Sequence, residues 1–385
     1  MTKIVHIIVK GYVDGCAYQE NVLPKKHKEL GYEVTILVSQ FARITKGRLS
    51  GLKEVGTNIN EDKIPVCVLK RPSIFSLRHL LKYKTIGMYE KLMDLTPDII
   101  FIHNVYFSEN RDVAKYVKQN PHTLVYADNH MDYYNNPIIT YKQKIADFLY
   151  RWNARKLKSI TQVFWGTTPW RVDYLRNHYK LPKEKCKLLI MGGDESIICR
   201  INRNRVRQEI RDKYNIPYNA FLIVTGGIID KRKCQDLLMK AVDNLSALNV
   251  WLIVFGEAKK EMLPICNMFS SKDNIVFTGW VEANYSYSLF LASDLAVFPG
   301  THSVLWEQAA SCGVPQIIKR LPGMEHINVN GNAYLMDDVT IENLTNKIKE
   351  YLNVEIYDSI KRKAEVAAPF FYYKEIAKQS IDYKF

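Results

Sequence analysis

No apolar run in this sequence is long enough to cross a bilayer: VWLIVFG and LASDLAVF fall far short of the roughly 20 residues required. A secretory leader is also missing, since MTKIVHIIVKGYVDG breaks into polar and glycine residues after one strand-like segment. Secretion is therefore not expected, and the chain is placed in the cytoplasm, at most on the inner membrane face. CxxC pairs and histidine clusters at metal spacing are absent; the seven cysteines (16, 67, 186, 199, 234, 266, 312) are odd in number and scattered. They read as reduced, mostly buried thiols, with no metal centre and no cofactor expected. GxGxxG is absent too, which argues against a bound dinucleotide. Low-complexity segments and short-period repeats are not found.

What is present is the composition of a globular protein: 385 residues, 47% hydrophobic and 24% charged, enough for two domains with buried cores. A formal charge of +14 fits nucleic acid, an anionic membrane or a phosphorylated ligand, and charge alone does not choose. The first half carries much of it, at Lys25, Lys26 and Lys28, at Arg71, Arg78, Lys82 and Lys84, and at Lys142, Lys144, Arg151, Arg155, Lys156 and Lys158. The last group rides on a helical pattern in which Ile145, Phe148, Leu149 and Trp152 form an apolar stripe beside a cationic face. Two readings stand: peripheral docking on anionic lipid, or an ordinary surface helix packing its stripe on the core. No groove-tracking module of interleaved aromatic and basic residues is found, so nucleic acid is not an expected partner.

Short β-rich runs alternate with helical patterns: KIVHIIV, EVTILVS, IPVCVLK, DIIFIH, TLVYAD and QVFWGTT in the first half. FLIVTGG, VWLIVFG, NIVFTGW, LAVFPG and PQIIK follow in the second. Continuous apolar strands separated by helix-length stretches predict parallel sheets covered on both faces, hence an α/β fold with two doubly wound, Rossmann-like domains. The expected domains are 1–190 and 191–369, joined near Gly192, Gly193 and Asp194, with NRNRVRQEIRDKY as a solvated helix beyond the linker. Open parallel sheets bind ligands outside the carboxyl ends of their strands, so two such domains are expected to face each other across a cleft.

Five segments place chemistry at those strand ends. DLAVFPGTHSVLWEQAASCGVPQII runs strand, glycine turn, helix, turn, strand; Gly300 permits the turn, and Thr301, His302, Ser303 and Val304 lead into a helix whose free N–H groups suit a diphosphate. Glu307, one turn in, would reach ribose hydroxyls; alternatively Ser303 caps the helix and Glu307 is a solvated carboxylate. FLIVTGGIIDKRKCQDLLMKAV sets Gly226 and Gly227 and the cations Arg232 and Lys233 between a strand and a helix with an apolar face at Leu237, Leu238 and Val242. As an isolated charge run the triplet would be a solvated turn, but its position favours contact with phosphate. TLVYADNHMDYYNNP gathers Asp128, Asn129, His130 and Asp132 at a strand's carboxyl end; His103 and Asn104 after DIIFI form a weaker analogue. NIVFTGWVEANYSYSLF offers Trp280 for stacking on a base, beside Val281. Asp294 reads as structural. In KGYVDGCAYQEN, Gly11, Gly15, Tyr18 and Glu20 line a glycine loop.

Taken in order, these segments resemble the retaining glycosyltransferases of family 4 (group 1) that act in bacterial capsule and O-antigen polysaccharide synthesis. The resemblance implies the GT-B fold, with a last helix, 370–385, returning to the first domain and coupling its closure to binding. It implies a metal-independent transfer from a nucleoside diphosphate sugar, first a UDP-sugar, to a saccharide or lipid-linked acceptor. In that frame His130, Arg232, Lys233 and Glu307 are catalytic, and Gly15, Gly227, Trp280, Val281, His302, Ser303 and Val304 hold the donor. Tyr18, Glu20, Asp128, Asn129 and Asp132 lie on the acceptor side. The family commonly has a glutamate eight residues before the one matched by Glu307; that position is Pro299, and Gly227 stands where many members have an arginine. The alternatives are a non-catalytic nucleotide-sugar-binding protein of the same fold and a sugar-nucleotide 2-epimerase.

Overall fold

The computed structural model describes residues 1–9, 12–44, 48–72 and 84–381; Gly11, Arg78, Lys82 and the end of the expected last helix, 382–385, lie outside the described residues. The chain divides into two compact units, Met1–Ile190 with Ile376–Phe385, and Met191–Glu375.

The first unit contains β1 (Lys3–Ile8), β2 (Glu33–Ser39), the β3–β4 hairpin (Phe41–Ile44, Arg48–Leu52), β5 (Gly56–Ile59), β6 (Pro65–Leu69), β7 (Ile99–Ile102), β8 (Leu124–Asn129), β9 (Thr161–Gly166) and β10 (Cys186–Leu188). Eight of them form one sheet in the order β10-β9-β8-β7-β1-β2-β6-β5, parallel except for the antiparallel edge strand β5. The continuous apolar runs are explained by burial on both faces. Leu37 enters one core with Val5 and Ile7, while Ile36 and Val38 enter another with Val66 and Val68.

The second unit contains β11 (Phe221–Gly226), β12 (Val250–Phe255), β13 (Ile275–Gly279), β14 (Leu295–Phe298), β15 (Gln316–Lys319) and β16 (Ala333–Met336). Their order is β13-β12-β11-β14-β15-β16, and every pairing is parallel. The connection reverses direction between β11 and β14, and in the first unit between β1 and β7. At such a switch point the loops leaving adjacent strands diverge and open a crevice.

Several expectations change at this level. Helix Arg203–Lys213 is not simply solvated: Val206 and Ile210 are buried, and so is Arg211, whose guanidinium donates to the carbonyls of Ala292 (3.0 Å) and Ala220 (3.2 Å). Arg211 and Arg207 both pair with Asp294, which also accepts the Leu222 N–H at 2.8 Å; Asp294 is structural, as read from sequence. Lys26 is buried against Glu29 at 2.9 Å and adds nothing to a cationic surface. All seven cysteines are free, and Cys67, Cys186, Cys266 and Cys312 are buried. Helix Tyr373–Ile381 carries the chain back, with the first unit taking it up from Ile376. There Trp165 Nε1 donates to the Ser380 carbonyl at 2.9 Å.

Candidate functional site

In the second unit the loops after β11 and β14 touch because residue 300 is glycine. A Cβ at Gly300 would stand 2.3 Å from the Arg232 carbonyl oxygen, so any side chain would push the turn 231–233 away. Thr301 N–H donates to that carbonyl at 3.0 Å. Lys233 Nζ donates to the Thr301 and His302 carbonyls at 2.7 and 2.8 Å, stitching the cation to the loop. Asp230 caps the turn through the Arg232 and Lys233 N–H groups and pairs with the exposed Arg232 guanidinium at 2.7 Å. Gly227, at φ +100°, is in the left-handed region, and a Cβ built on it would stand 3.9 Å from Ser303 Oγ.

Burial pulls the Lys233 ammonium down to about 8, with Asp230 opposing and Arg232 assisting. A diphosphate set beside it would favour the charged form. Nucleotide binding near pH 8 is therefore expected to take up a proton, and affinity to fall as pH rises through that value. Calorimetry in two buffers of different ionisation enthalpy measures the uptake; equal heats would remove Lys233 from the phosphate site.

Glu307 is not a solvated carboxylate but wholly buried. His302 Nε2 and His326 Nε2 both donate to its Oε1, at 2.8 and 3.0 Å, while Oε2 is buried without a hydrogen-bond partner. Burial raises its pKa, but the charge and hydrogen bond of His302 and the bonds from His326 outweigh it and hold the carboxyl well below its usual range. The three ligand-type atoms lie within 4.8 Å of one another, a spacing that admits a metal ion. A ligating histidine normally fastens its second ring nitrogen to an acceptor. His326 Nδ1 is buried with no hydrogen-bond partner, and the two histidines form a hydrogen-bonded clamp on one oxygen of Glu307.

Beside this clamp is a small cavity lined by Thr225, Lys233, Gln235, Pro299, Ser303 and Trp306. Thr225 Oγ1, Gln235 Oε1 and Trp306 Nε1, on residues that line it, are buried without partners, and the cavity has room for about one water. Ser303 caps the following helix weakly, its Oγ 3.5 Å from the Leu305 N–H, and Val304 takes the N-cap position. Trp280 is 58% exposed after the left-handed Gly279, with Val281 half-buried next to it.

In the first unit the expected polar cluster is turned inward. Asp128, Asn129 and Asp132, expected on the acceptor side, are buried. Asn129 bonds the Met131 backbone at both ends of its amide. Asp132 caps the following turn through Tyr134 and Asn135 N–H and pairs with Arg171 at 3.1 Å. Asp128 holds His103 and Asn104. Of the four, His130 keeps a partly exposed side chain. In the glycine loop, Gly15 has φ +71° and Tyr18 is exposed, while Glu20, in the first turn of helix Gln19–Glu29, is half-buried. Gln19, between them, is buried with both amide atoms unpartnered.

The apolar stripe of helix Tyr141–Arg155 faces outward rather than into the core. Phe148 is 61% exposed, Trp152 56% and Ile145 41%; the buried positions are Asp147, Asn153 and Ala154. Asp147 binds Arg151 and His178 at 3.0 and 2.6 Å, and Lys156 Nζ lies 4.1 Å from the centre of the Trp152 ring.

Residues 206–366 match the model of the family "Glycosyl transferases group 1", a span that contains Arg232, Lys233, Trp280, His302, Glu307 and His326. The second unit is a group 1 glycosyltransferase domain. The chain is also 26% identical over 183 residues to the lipopolysaccharide core biosynthesis glycosyltransferase LpsD of Rhizobium meliloti (strain 1021), covering 45% of this chain and 53% of that protein. It thus spans about half the length of the curated relative it matches. Among solved structures, Anabaena Alr3699/HepE in complex with UDP and glucose superposes with a TM-score of 0.68 at 16% identity, over 99% of this chain and 98% of that one. The UDP-GlcNAc 2-epimerase of Neisseria meningitidis bound to UDP-GlcNAc gives 0.61 at 11%, over 98% and 97%. Likeness at these identities establishes the GT-B fold, which transferase and epimerase share.

Sequence reading missed His326, Gln19 and the unpartnered Thr225 and Gln235. For the group 1 domain the omission of His326 matters most, since it supplies half of the Glu307 clamp. Nothing in a single sequence relates two positions 19 residues apart.

Proposed function

We propose that the chain is a glycosyltransferase that moves a sugar from a nucleoside diphosphate donor, first a UDP-sugar, to a saccharide or lipid-linked acceptor in cell-surface polysaccharide synthesis. The transfer proceeds with retention and without metal. The observation that carries this reading is the convergence, at the adjacent carboxyl ends of β11 and β14, of Lys233 and Arg232 with the clamped Glu307. Lys233 and Arg232 meet the diphosphate, Glu307 Oε2 accepts from the ribose, and Trp280 stacks on the base. His302, Ser303, Val304 and Val281 complete the donor loop, and Gly15 and Tyr18 lie on the first unit's glycine loop, with Glu20 in the first turn of the helix that follows.

As the bond between the anomeric carbon and the diphosphate oxygen breaks, its electron pair leaves with the diphosphate, and the two cations offset the charge that develops. The acceptor hydroxyl attacks the same face and gives its proton to the departing phosphate. His130 stands by the transferred sugar.

The test is turnover of a panel of nucleotide sugars in excess EDTA, with the product anomer read by NMR. Expected is release of nucleoside diphosphate undiminished by EDTA, and an anomeric configuration matching the donor. Inversion, or activity that depends on added metal, would overturn those parts of the reading. A 2-epimerised sugar without transfer would assign the chain to the epimerase alternative, and binding without turnover to the non-catalytic one.

The outward stripe of helix Tyr141–Arg155 supports docking of the first unit on an anionic membrane surface. Burying each large side chain contributes about 1.5–3 kcal/mol and each nearby Lys or Arg about 1 kcal/mol. Replacing both Phe148 and Trp152 with Ser is expected to weaken co-sedimentation with phosphatidylglycerol-rich vesicles by on the order of 10²-fold or more. Unchanged partitioning, or equal binding to neutral vesicles, would dismiss the docking.

A further inference from the structure

Three buried histidines form a continuous chain through the first unit. His27, on helix Gln19–Glu29, lies with Nδ1 3.0 Å from His6 Nε2; His6, on β1, lies with Nδ1 3.0 Å from His103 Nε2. His103, just past β7, lies with Nδ1 2.8 Å from Asp128 Oδ2 on β8. At the far end His27 Nε2 meets the Ala377 carbonyl (3.1 Å) and Ser380 Oγ (3.0 Å) on the C-terminal helix. Phe101 packs on all three rings and Tyr32 on the edge of His27.

We propose that Asp128 and His103 are positioning residues for His130, and that His103 acts as an imidazolium at the head of this relay. The proposal rests on the reading that His130 meets the transferred sugar.

The proton count carries the argument. A carbonyl and a carboxylate are both acceptors, so they close the two ends of a row of four hydrogen bonds. Ser380 Oγ itself donates to the Ala377 carbonyl at 2.8 Å, which leaves His27 Nε2 as the donor at that end. Four bonds need four protons, and three neutral imidazoles supply three. The fourth sits on one ring. Burial, with the neighbouring histidines adding to it, pushes His6 well below its ordinary value, and burial pulls His27 down to about 4. His103, bonded to the carboxylate, is the ring whose charge is balanced, and the pair is neutral as a whole.

The consequence lies at Asp128. With Oδ2 given to His103, Oδ1 accepts the Asn104 N–H at 2.8 Å and faces His130 Nε2 at 3.6 Å. Asn104 has φ +73° and also accepts the His130 N–H on its side chain, which fixes the backbone of both strand ends. His130 Nε2 is buried with no hydrogen-bond partner. Catalytic contacts of this kind commonly tighten when substrate binds. A carboxylate held ionised by His103 selects the tautomer with the proton on Nε2, so His130 presents Nδ1 as an acceptor for a sugar hydroxyl.

Two measurements test this. In full-length protein labelled with 15N-histidine, long-range proton–nitrogen correlation at neutral pH is expected to show one imidazolium among the relay rings His6, His27 and His103, lost in His103→Gln and in Asp128→Asn. Three neutral buried rings, with Ser380 donating to His27 instead, would overturn the relay. In kinetics, Asp128→Asn is expected to lower kcat by on the order of 10²-fold. The KM for donor and the thermal shift by UDP should stay within about twofold, since the nucleotide is held by the other unit. An unchanged kcat would overturn the positioning role, as would a parallel loss of UDP binding. Should Asp128→Asn fail to fold, the wild-type nitrogen spectrum decides. A wild type that binds UDP but turns over no donor would remove the transfer reading and leave the imidazolium result standing on its own.

Discussion

UDP is expected to raise the unfolding temperature of the wild-type protein in metal-free buffer, and Glu307→Ala to cut that rise by about half or more. A ligand at 100 times its dissociation constant stabilises by about 2.7 kcal/mol, which is readily read as a shift in midpoint. Glu307 Oε2 is buried, charged and unpartnered, while Oε1 is saturated by two histidines. Hydrogen bonds to a charged acceptor contribute about 1.5–3 kcal/mol each, so losing those to ribose weakens binding by roughly 10- to 10³-fold or more. At the same UDP concentration a tenfold loss leaves about 1.4 kcal/mol of stabilisation and a 10³-fold loss almost none. The comparison needs Glu307→Gln alongside, because alanine also leaves His302 and His326 facing a gap. Glutamine keeps the volume and one acceptor oxygen, and should bind UDP with intermediate affinity. Equal shifts in wild type and Glu307→Ala would make Glu307 a structural counter-charge for two histidines and remove it from the ribose contact.

Much of the fold was legible because burial on both faces of a parallel sheet leaves an unmistakable mark. VWLIVFG and DIIFIH are apolar at consecutive positions, and each became a strand between two others. The strands that escaped notice are at sheet edges or short, such as β5, β10 and β16, where one-sided packing leaves mixed composition. The close approach of the loops after β11 and β14 was legible through Gly300, since a glycine between strand and helix implies one. The direction of side chains was not. Asp128, Asn129 and Asp132 look in the sequence like a polar patch, and folding turned each toward backbone donors. Phe148 and Trp152 look like a core stripe, and folding turned them outward because the opposite face is spent on Asp147 and its partners. Helical periodicity gives the stripe; only the surrounding elements decide what it meets.

The same clamp leads to the largest expected loss of stability. His326→Ala removes one of two donors from a carboxylate that is wholly buried, and breaking one partner of such a group costs about 3–5 kcal/mol. The pH dependence has a definite sign. In the wild type the histidines hold Glu307 well below its ordinary value, so its contribution is present above the unfolded pKa and is lost as pH falls through the folded one. Without His326, burial is less opposed and the folded pKa rises, so the variant takes up a proton at a pH where the wild type does not. The gap between the two should therefore narrow as pH falls below that raised value. Adding Glu307→Gln should do at neutral pH what acid does, because a neutral amide needs no imidazole. The double variant is then expected to be more stable than His326→Ala alone, a coupling above the roughly 0.3–0.5 kcal/mol that independent sites show. Urea midpoints for the four proteins at two pH values measure it. Additive losses at both would mean that His326 supports the 325–327 turn by packing and leaves the charge on Glu307 to His302.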